Sequence, residues 1–189
     1  NRCHRSPNAW SRIAGVTKEY HFACSGAVIV DLTRDAVDTS YEGDHRPQLE
    51  RLFNARPRPG VVFLTIGGND LNFGKVIQSC FVPPWIAPCV SDAKLQSLIA
   101  KLVFSVSQKL KSTYEYIRKQ MPGARLIVAS YPRLFSSGSI NDCSWLDAAS
   151  QQRIVIAGRR LADEIRNQAL AAGAEFIGLF NATAGRELC

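Results

Sequence analysis

The side chain with the clearest capacity for chemistry in this sequence is the amide of Asn69, which follows two glycines at the end of an apolar run. The run 61–66 (Val-Val-Phe-Leu-Thr-Ile) is typical of a strand buried on both faces. Gly67 and Gly68 then allow the backbone to turn sharply and to approach a neighbouring group closely. Open α/β sheets bind ligands at the carboxyl ends of their strands, and an amide donor held there can stabilise a developing oxyanion. The pattern therefore suggests acyl transfer.

The sequence offers only weak candidates for the nucleophile and the base of such a reaction. Ser25 precedes Gly26 but lacks the pattern of a nucleophile elbow, so we interpret it as a turn residue. We expect His4 to lie at the surface and His21 to lie in a strand with its hydrogen bonds satisfied. His45 lies in an acidic segment, where a solvated loop is favoured over a carboxylate–histidine pair.

Strand-like and helix-like segments alternate along the chain. Apolar β-branched runs predict strands, and apolar residues three or four apart predict long helices. Strands separated by helices imply an α/β fold with a mostly parallel sheet that is covered on both faces. A length of 189 residues fits a single domain, 1–189. The predicted strands are 61–66, 125–131 and 174–179, and the predicted long helices are 91–121 and 146–172.

Composition narrows the classes of partner. The net charge is +7, but the basic residues are scattered along the sequence, so we expect no nucleic-acid partner. No run of eighteen apolar residues is present, so the sequence predicts no transmembrane segment. The aspartates between positions 31 and 44 lack the pattern of a calcium-binding loop, so we expect neither a metal nor another cofactor.

The cysteines indicate disulfide bonds. An even number without a C-x-x-C pair argues against a zinc site or a thioredoxin motif, and favours an oxidising, extracellular compartment. Six cysteines allow fifteen pairings, and spacing alone leaves the pairing open. Cys80 and Cys89 flank the proline-rich loop 81–88, where a local bridge is plausible. The cysteines are Cys3, Cys24, Cys80, Cys89, Cys143 and Cys189.

Several short motifs together resemble the SGNH (GDSL) hydrolase family, most closely its secreted lipases and esterases of actinomycete type. These motifs are Cys-Ser-Gly-Ala at 24–27, Gly-Gly-Asn-Asp at 67–70 and the spacing of the cysteines. The segments 3–10 and 185–189 add to the resemblance, which covers essentially the whole chain. It implies a three-layer α/β/α, flavodoxin-like fold.

The resemblance also implies roles for individual residues. The backbone N–H of Gly26 and the side chain of Asn69 match two of the family's oxyanion donors. The family's Gly-Asp-Ser and Asp-x-x-His blocks, which carry the nucleophile and the base, have no match in this sequence. We therefore expect the chain to be an internal piece of a longer protein. The implied disulfides are Cys3–Cys24, Cys80–Cys89 and Cys143–Cys189.

The function expected from this resemblance is that of a secreted serine ester hydrolase of lipase or carboxylesterase type. Its substrate would be a small-molecule, lipid or glycan ester, and the protein would act as a monomer without a cofactor. The alternative is a non-catalytic SGNH-like module that has lost its nucleophile and binds an ester, a glycan or a partner protein.

Overall fold

A parallel sheet organises the part of the chain that the structure, a computed structural model, describes: residues 3, 5–33, 47–78, 80, 89–136 and 146–188. Within those residues the sheet has three strands in the order β1-β2-β3, and neighbouring strands are parallel. Parallel order follows from the long helical crossovers between the strands. The strands are β1 (Val61–Leu64), β2 (Arg125–Ala129) and β3 (Glu175–Ile177).

The register of the sheet brings the carboxyl ends of the strands to one edge. Leu64 pairs with Val128, and Ala129 pairs with Ile177. Ser130 extends this pairing, because its backbone N–H donates to the Ile177 carbonyl oxygen at 3.1 Å. The segments that leave β1, β2 and β3 are therefore neighbours in space.

Helices occupy most of the remaining described chain. The predicted helix 91–121 is one continuous helical segment, in which a π-helical turn at Leu102–Val106 joins two α-helices. In the described ranges no helix combines the length and apolar character that crossing a bilayer requires. The α-helices are α1 (Trp10–Ile13), α2 (Gln48–Asn54), α3 (Phe73–Gln78), α4 (Asp92–Lys101), α5 (Ser107–Gln120) and α6 (Ala148–Ala171), and Lys18–Tyr20, Ile29–Leu32 and Asn69–Leu71 form 3-10 turns.

The core lies where α5 and α6 pack together and against the sheet. Leu110, Tyr114 and Ile117 on α5 follow the three-to-four spacing of one helix face, and all are essentially inaccessible. Ile165 on α6 and Val128 on β2 are equally buried. Full burial of each such side chain contributes about 1.5–3 kcal/mol, so this layer fixes the sheet against the helices.

Strand β1 differs from the prediction of a strand buried on both faces. It ends at Leu64 rather than at residue 66, and its side chains alternate between faces. Val62 is buried, whereas Val61 and Phe63 are 37% and 39% exposed. On that second face, Trp10 packs edge-on against the Phe63 ring at a centroid distance of 5.5 Å. An apolar run alone therefore did not reveal how completely each face is covered by the described residues.

Two disulfides join described cysteines, one over a sequence separation of 21 residues and the other over 9. Cys3 bonds to Cys24 and Cys80 bonds to Cys89, as the family resemblance implied. Cys143 and Cys189, the third implied pair, lie outside the described residues. The Cys3–Cys24 bridge matters for the site because it fastens the chain near the amino terminus to the turn that contains Gly26.

Candidate active site

Gly26 lies in a tight turn in which its backbone adopts a positive φ. The Ala27 N–H donates to the Cys24 carbonyl oxygen at 3.3 Å, and Gly26 has a φ of +79°. A Cβ at this position would meet nothing within 4 Å, so the positive φ rather than lack of space favours glycine. Among the described residues the Gly26 N–H has no acceptor, which leaves it available to a ligand.

Asn69 is held against this turn by its own side chain. It follows Gly67, whose φ of +109° turns the chain sharply after β1, and it begins a 3-10 turn. Its Nδ2 donates to the Ala27 carbonyl oxygen at 3.0 Å. An amide nitrogen carries two hydrogens, so one is fixed by the protein and the second can serve a ligand. The side chain is exposed to solvent.

Asp70 makes a second link between the same two segments. Its carboxylate oxygens accept from the Ile29 backbone N–H at 3.0 and 3.3 Å. Burial raises the pKa of Asp70 above its ordinary value, and the Ile29 N–H and Lys109 oppose that rise. Asp70 therefore acts as a positioning residue, because it ties the turn at Asn69 to the segment that contains Ile29.

Tyr131 contacts Gly68 from the segment that directly follows β2. Its hydroxyl oxygen accepts from the Gly68 N–H at 3.2 Å, and a Cβ at position 68 would lie 3.0 Å from the tyrosine ring. Burial raises the pKa of the Tyr131 hydroxyl. Tyr131 was not among the site residues predicted from the sequence. Its position at the end of the second predicted strand, 125–131, was the available signal, because the ends of parallel strands meet at one edge.

An apolar cleft of about 310 Å³ opens beside Gly68 and Asn69. Arg133 also lines it, but its guanidinium is 2.5 Å from the Glu187 carboxylate, and both side chains are largely buried. The ion pair neutralises Arg133, the one basic group among the described residues of the cleft wall, and most of the other described lining side chains are apolar. The apolar side chains include Phe73, Ile77, Leu134, Val155, Leu161 and Phe180.

The remaining candidates from the sequence do not join this site. His21 lies outside the strands of the sheet and follows the 3-10 turn Lys18–Tyr20, so its predicted place in a strand is wrong. It lines a separate cavity. His4 and His45 lie outside the described residues. The described residues contain no cluster of three side chains able to ligate a metal ion.

The comparison with protein families identifies a match along almost the whole chain. The model of the GDSL-like lipase/acylhydrolase family matches residues 2–188. Lipase 1 of Streptomyces coelicolor is 28% identical over 130 residues, which cover 69% of this chain and 47% of that lipase. The lipase of Streptomyces rimosus is 25% identical over 198 residues, which cover 99% of this chain and 64% of its own length. The chain thus spans less than two thirds of either relative.

Solved structures share the fold. A phospholipase A1 from Streptomyces albidoflavus NA297 superposes with a TM-score of 0.78 at 24% identity, over 100% of this chain and 74% of its own. An extracellular lipase from Streptomyces rimosus gives a TM-score of 0.79 at 23% identity, with the same coverage. The predicted three-layer α/β/α, flavodoxin-like fold with its parallel sheet and disulfides is confirmed.

The contact between Tyr131 and Gly68 predicts a measurable loss of stability. Tyr131→Phe removes the acceptor and leaves a buried N–H unpaired, so we expect the free energy of unfolding to fall by about 1–3 kcal/mol. Urea unfolding measures this change. Tyr116→Phe, at an exposed site, is the matched control and should change stability by less than about 0.5 kcal/mol. Equal effects of the two substitutions would contradict the assigned contact.

The raised pKa of Asp70 predicts a pH dependence of defined sign. The folded protein holds this proton more tightly than the unfolded chain, so stability falls as the pH rises from 3.8 through the raised pKa. We expect Asp70→Asn to abolish this fall in urea unfolding measured across a pH series.

Asp92→Asn is the control of opposite sign. A hydrogen bond from Arg153 lowers the pKa of Asp92, so its contribution to stability is lost as the pH falls through that lowered value. If both substitutions shifted the pH profile in the same direction, the role of burial at Asp70 would be refuted.

Proposed function

The chain belongs to the GDSL-like lipase/acylhydrolase family, and we propose that it forms part of a secreted serine ester hydrolase that acts on acyl esters. The observation that carries the proposal is the hydrogen bond from Asn69 to the Ala27 carbonyl oxygen. It fixes a neutral amide donor next to the turn of Gly26. The disulfides are consistent with an oxidising, extracellular compartment.

In the proposed reaction, these two groups bind the charge that develops on the substrate. A serine hydroxyl outside this chain attacks the ester carbonyl carbon, and a histidine, also outside it, accepts the serine proton. The carbonyl oxygen becomes negative and receives hydrogen bonds from the Gly26 N–H and the second hydrogen of Asn69 Nδ2. The C–O bond then breaks, and the alcohol leaves with the proton from the histidine. Water releases the acyl group by the same steps in reverse.

The apolar cleft is suited to the acyl chain of an ester substrate, next to the carbonyl group that reacts. Its volume of about 310 Å³ lies in the range of small-molecule sites. It adjoins Asn69, so a carbonyl bound by that amide would direct its hydrocarbon chain along Phe73 and Val155. Pairing of Arg133 with Glu187 removes the charge that would otherwise disfavour a hydrocarbon.

The second candidate function is a non-catalytic module that binds an ester without cleaving it. It applies if the intact protein also lacks the Gly-Asp-Ser and Asp-x-x-His motifs, neither of which occurs in residues 1–189. A fluorophosphonate probe on the intact protein separates the two. Covalent labelling supports the hydrolase, whereas ester binding without labelling supports the module.

Substitution of Asn69 tests the proposed oxyanion donor. In the intact protein we expect Asn69→Ala to lower kcat about 10²–10³-fold with little change in KM, because the lost bond acts in the transition state. Asn69→Asp keeps the size but removes the donors, and should be at least as impaired. Steady-state hydrolysis of p-nitrophenyl esters measures both. Asn181→Ala, at an exposed site, is the control; an unchanged kcat for Asn69→Ala would remove Asn69 from the mechanism.

Substitutions at two neighbouring residues of α6 test whether the cleft binds the acyl chain. Val155 lines the cleft, whereas Ile156 is 39% exposed and does not. Val155→Phe should displace about two methylenes of a long acyl chain, which costs about 1.6 kcal/mol, or roughly tenfold in kcat/KM. Short esters should be almost unaffected. Ile156→Phe should leave the ratio of long to short esters unchanged, and a change in that ratio equal to that of Val155→Phe would place the acyl chain elsewhere.

A further inference from the structure

The apolar cleft beside Asn69 ends at an inner wall of side chains that solvent does not reach. Asn69 is exposed, whereas Phe135, Ile154 and Leu161, which line the same cleft, are buried. The cleft therefore leads from the proposed oxyanion donor into the hydrophobic core. A hydrocarbon chain that reached the inner wall would be removed from water along most of its length, and each methylene buried in this way strengthens binding.

Gly158 lies on the stripe of α6 that faces the cleft. Ile154, Gly158 and Leu161 occupy positions i, i+4 and i+7, a spacing that places them on one face of the helix. All three line the cleft. Ile154 and Leu161 carry branched side chains, and Gly158 between them carries none. Gly158 therefore leaves a gap in the middle of the helical wall.

Two aromatic rings border this gap. A Cβ added at position 158 would lie 3.4 Å from Phe180 Cε2 and 3.9 Å from Phe73 Cζ. The Arg159 guanidinium lies 4.7 Å from the centroid of the Phe180 ring, and the Phe180 carbonyl oxygen accepts from the Arg133 backbone N–H at 3.1 Å. These contacts hold Phe180 in place, so the space between α6 and the rings depends on the absence of a side chain at position 158.

The helix itself gives no reason for a glycine at position 158. The residue lies in the interior of α6, where glycine is less favourable than any residue except proline. Its backbone does not adopt a positive φ. The distances to Phe180 and Phe73 are those of ordinary van der Waals contacts, so these described neighbours would tolerate a methyl group. What a side chain would remove is the open passage through the cleft.

We propose that Gly158 determines the length of the acyl chain that the protein accepts, and that its substrates are esters of long-chain rather than short-chain acids. The inference rests on the proposed ester hydrolysis, because it takes the acyl chain as the occupant of the cleft. When the reacting carbonyl lies at Asn69, a short acyl chain stays near the mouth of the cleft. A long chain passes Gly158, between α6 and the rings of Phe73 and Phe180, and reaches the inner wall.

A graded series of side chains at position 158 of the intact protein tests the proposal. Hydrolysis of p-nitrophenyl decanoate and p-nitrophenyl butanoate gives the ratio of kcat/KM for a long and a short chain. We expect Gly158→Ala to lower this ratio about fourfold, because its methyl group displaces about one methylene of the long chain. Gly158→Val should lower it roughly 50-fold, because about three methylenes are displaced. Hydrolysis of the butanoate should be almost unchanged.

The stability of the variants separates a role in the cleft from a role in packing. Alanine favours a helix more than glycine does, so Gly158→Ala should raise the urea midpoint by roughly 0.2–0.5 M while it lowers the ratio. Asn167→Ala is the matched control, because Asn167 is exposed on the opposite face of α6 and alanine is the better helix former there too. It should raise the midpoint and leave the ratio unchanged.

Two results would overturn the proposal. A lower urea midpoint for Gly158→Ala would show that packing requires the glycine. A ratio for Gly158→Ala equal to that for Asn167→Ala would show that the acyl chain does not pass position 158. In the second case ester hydrolysis would still be measured, so the role of Gly158 would be refuted and the proposed function would stand.

Binding of decanoate, measured by isothermal titration calorimetry, tests the inference without catalysis. We expect Gly158→Ala to weaken this binding about fourfold and Asn167→Ala to leave it unchanged. If the intact protein cleaves no ester but binds decanoate in this way, the proposed hydrolysis is refuted and the role of Gly158 stands. If it cleaves no ester and decanoate binding is undetectable or indifferent to Gly158→Ala, both are refuted.

Discussion

The site depends on the hydrogen bonds that join two turns at the carboxyl edge of the parallel sheet. Asn69 donates to the carbonyl of Ala27, and Asp70 accepts from the N–H of Ile29. Tyr131 accepts from the N–H of Gly68 on the other side. Only a parallel register brings these segments to the same edge, because strand pairing places the end of β1 beside the end of β2. The core under α5 and α6 therefore matters for the site chiefly because it fixes that register.

The sequence predicted the parts of this arrangement that are local. A buried strand followed by Gly67 and Gly68 placed Asn69 at a strand end, and the resemblance paired it with Gly26. The support from Tyr131 was not predictable in the same way, because it depends on which strands are neighbours. The exposure of Phe63 is a similar case: periodicity and composition describe a strand, but packing partners decide which of its faces is covered.

The positions of the basic residues in space could not be predicted from their positions in the sequence. Along the chain, Arg51 is far from Arg5 and Arg12, and we predicted scattered charges without a nucleic-acid partner. The fold collects them around one cavity, because a disulfide joins Cys3 to Cys24 and because Arg51 packs on Phe22. Linear clustering is therefore a poor guide to a charged surface when covalent cross-links bring distant segments together.

The segment 21–27 connects the basic cavity to the turn at Gly26. At one end His21 lines the basic cavity, and at the other Gly26 and Ala27 form the turn that contacts Asn69. Its middle is fixed by the Cys3–Cys24 disulfide and by the contact of Arg5 with Ala23. Both anchors lie within three residues of Gly26, so they restrict the conformations available to the turn. The position of Asn69 relative to Gly26 thus depends on covalent and hydrogen-bonded contacts made well outside the sheet.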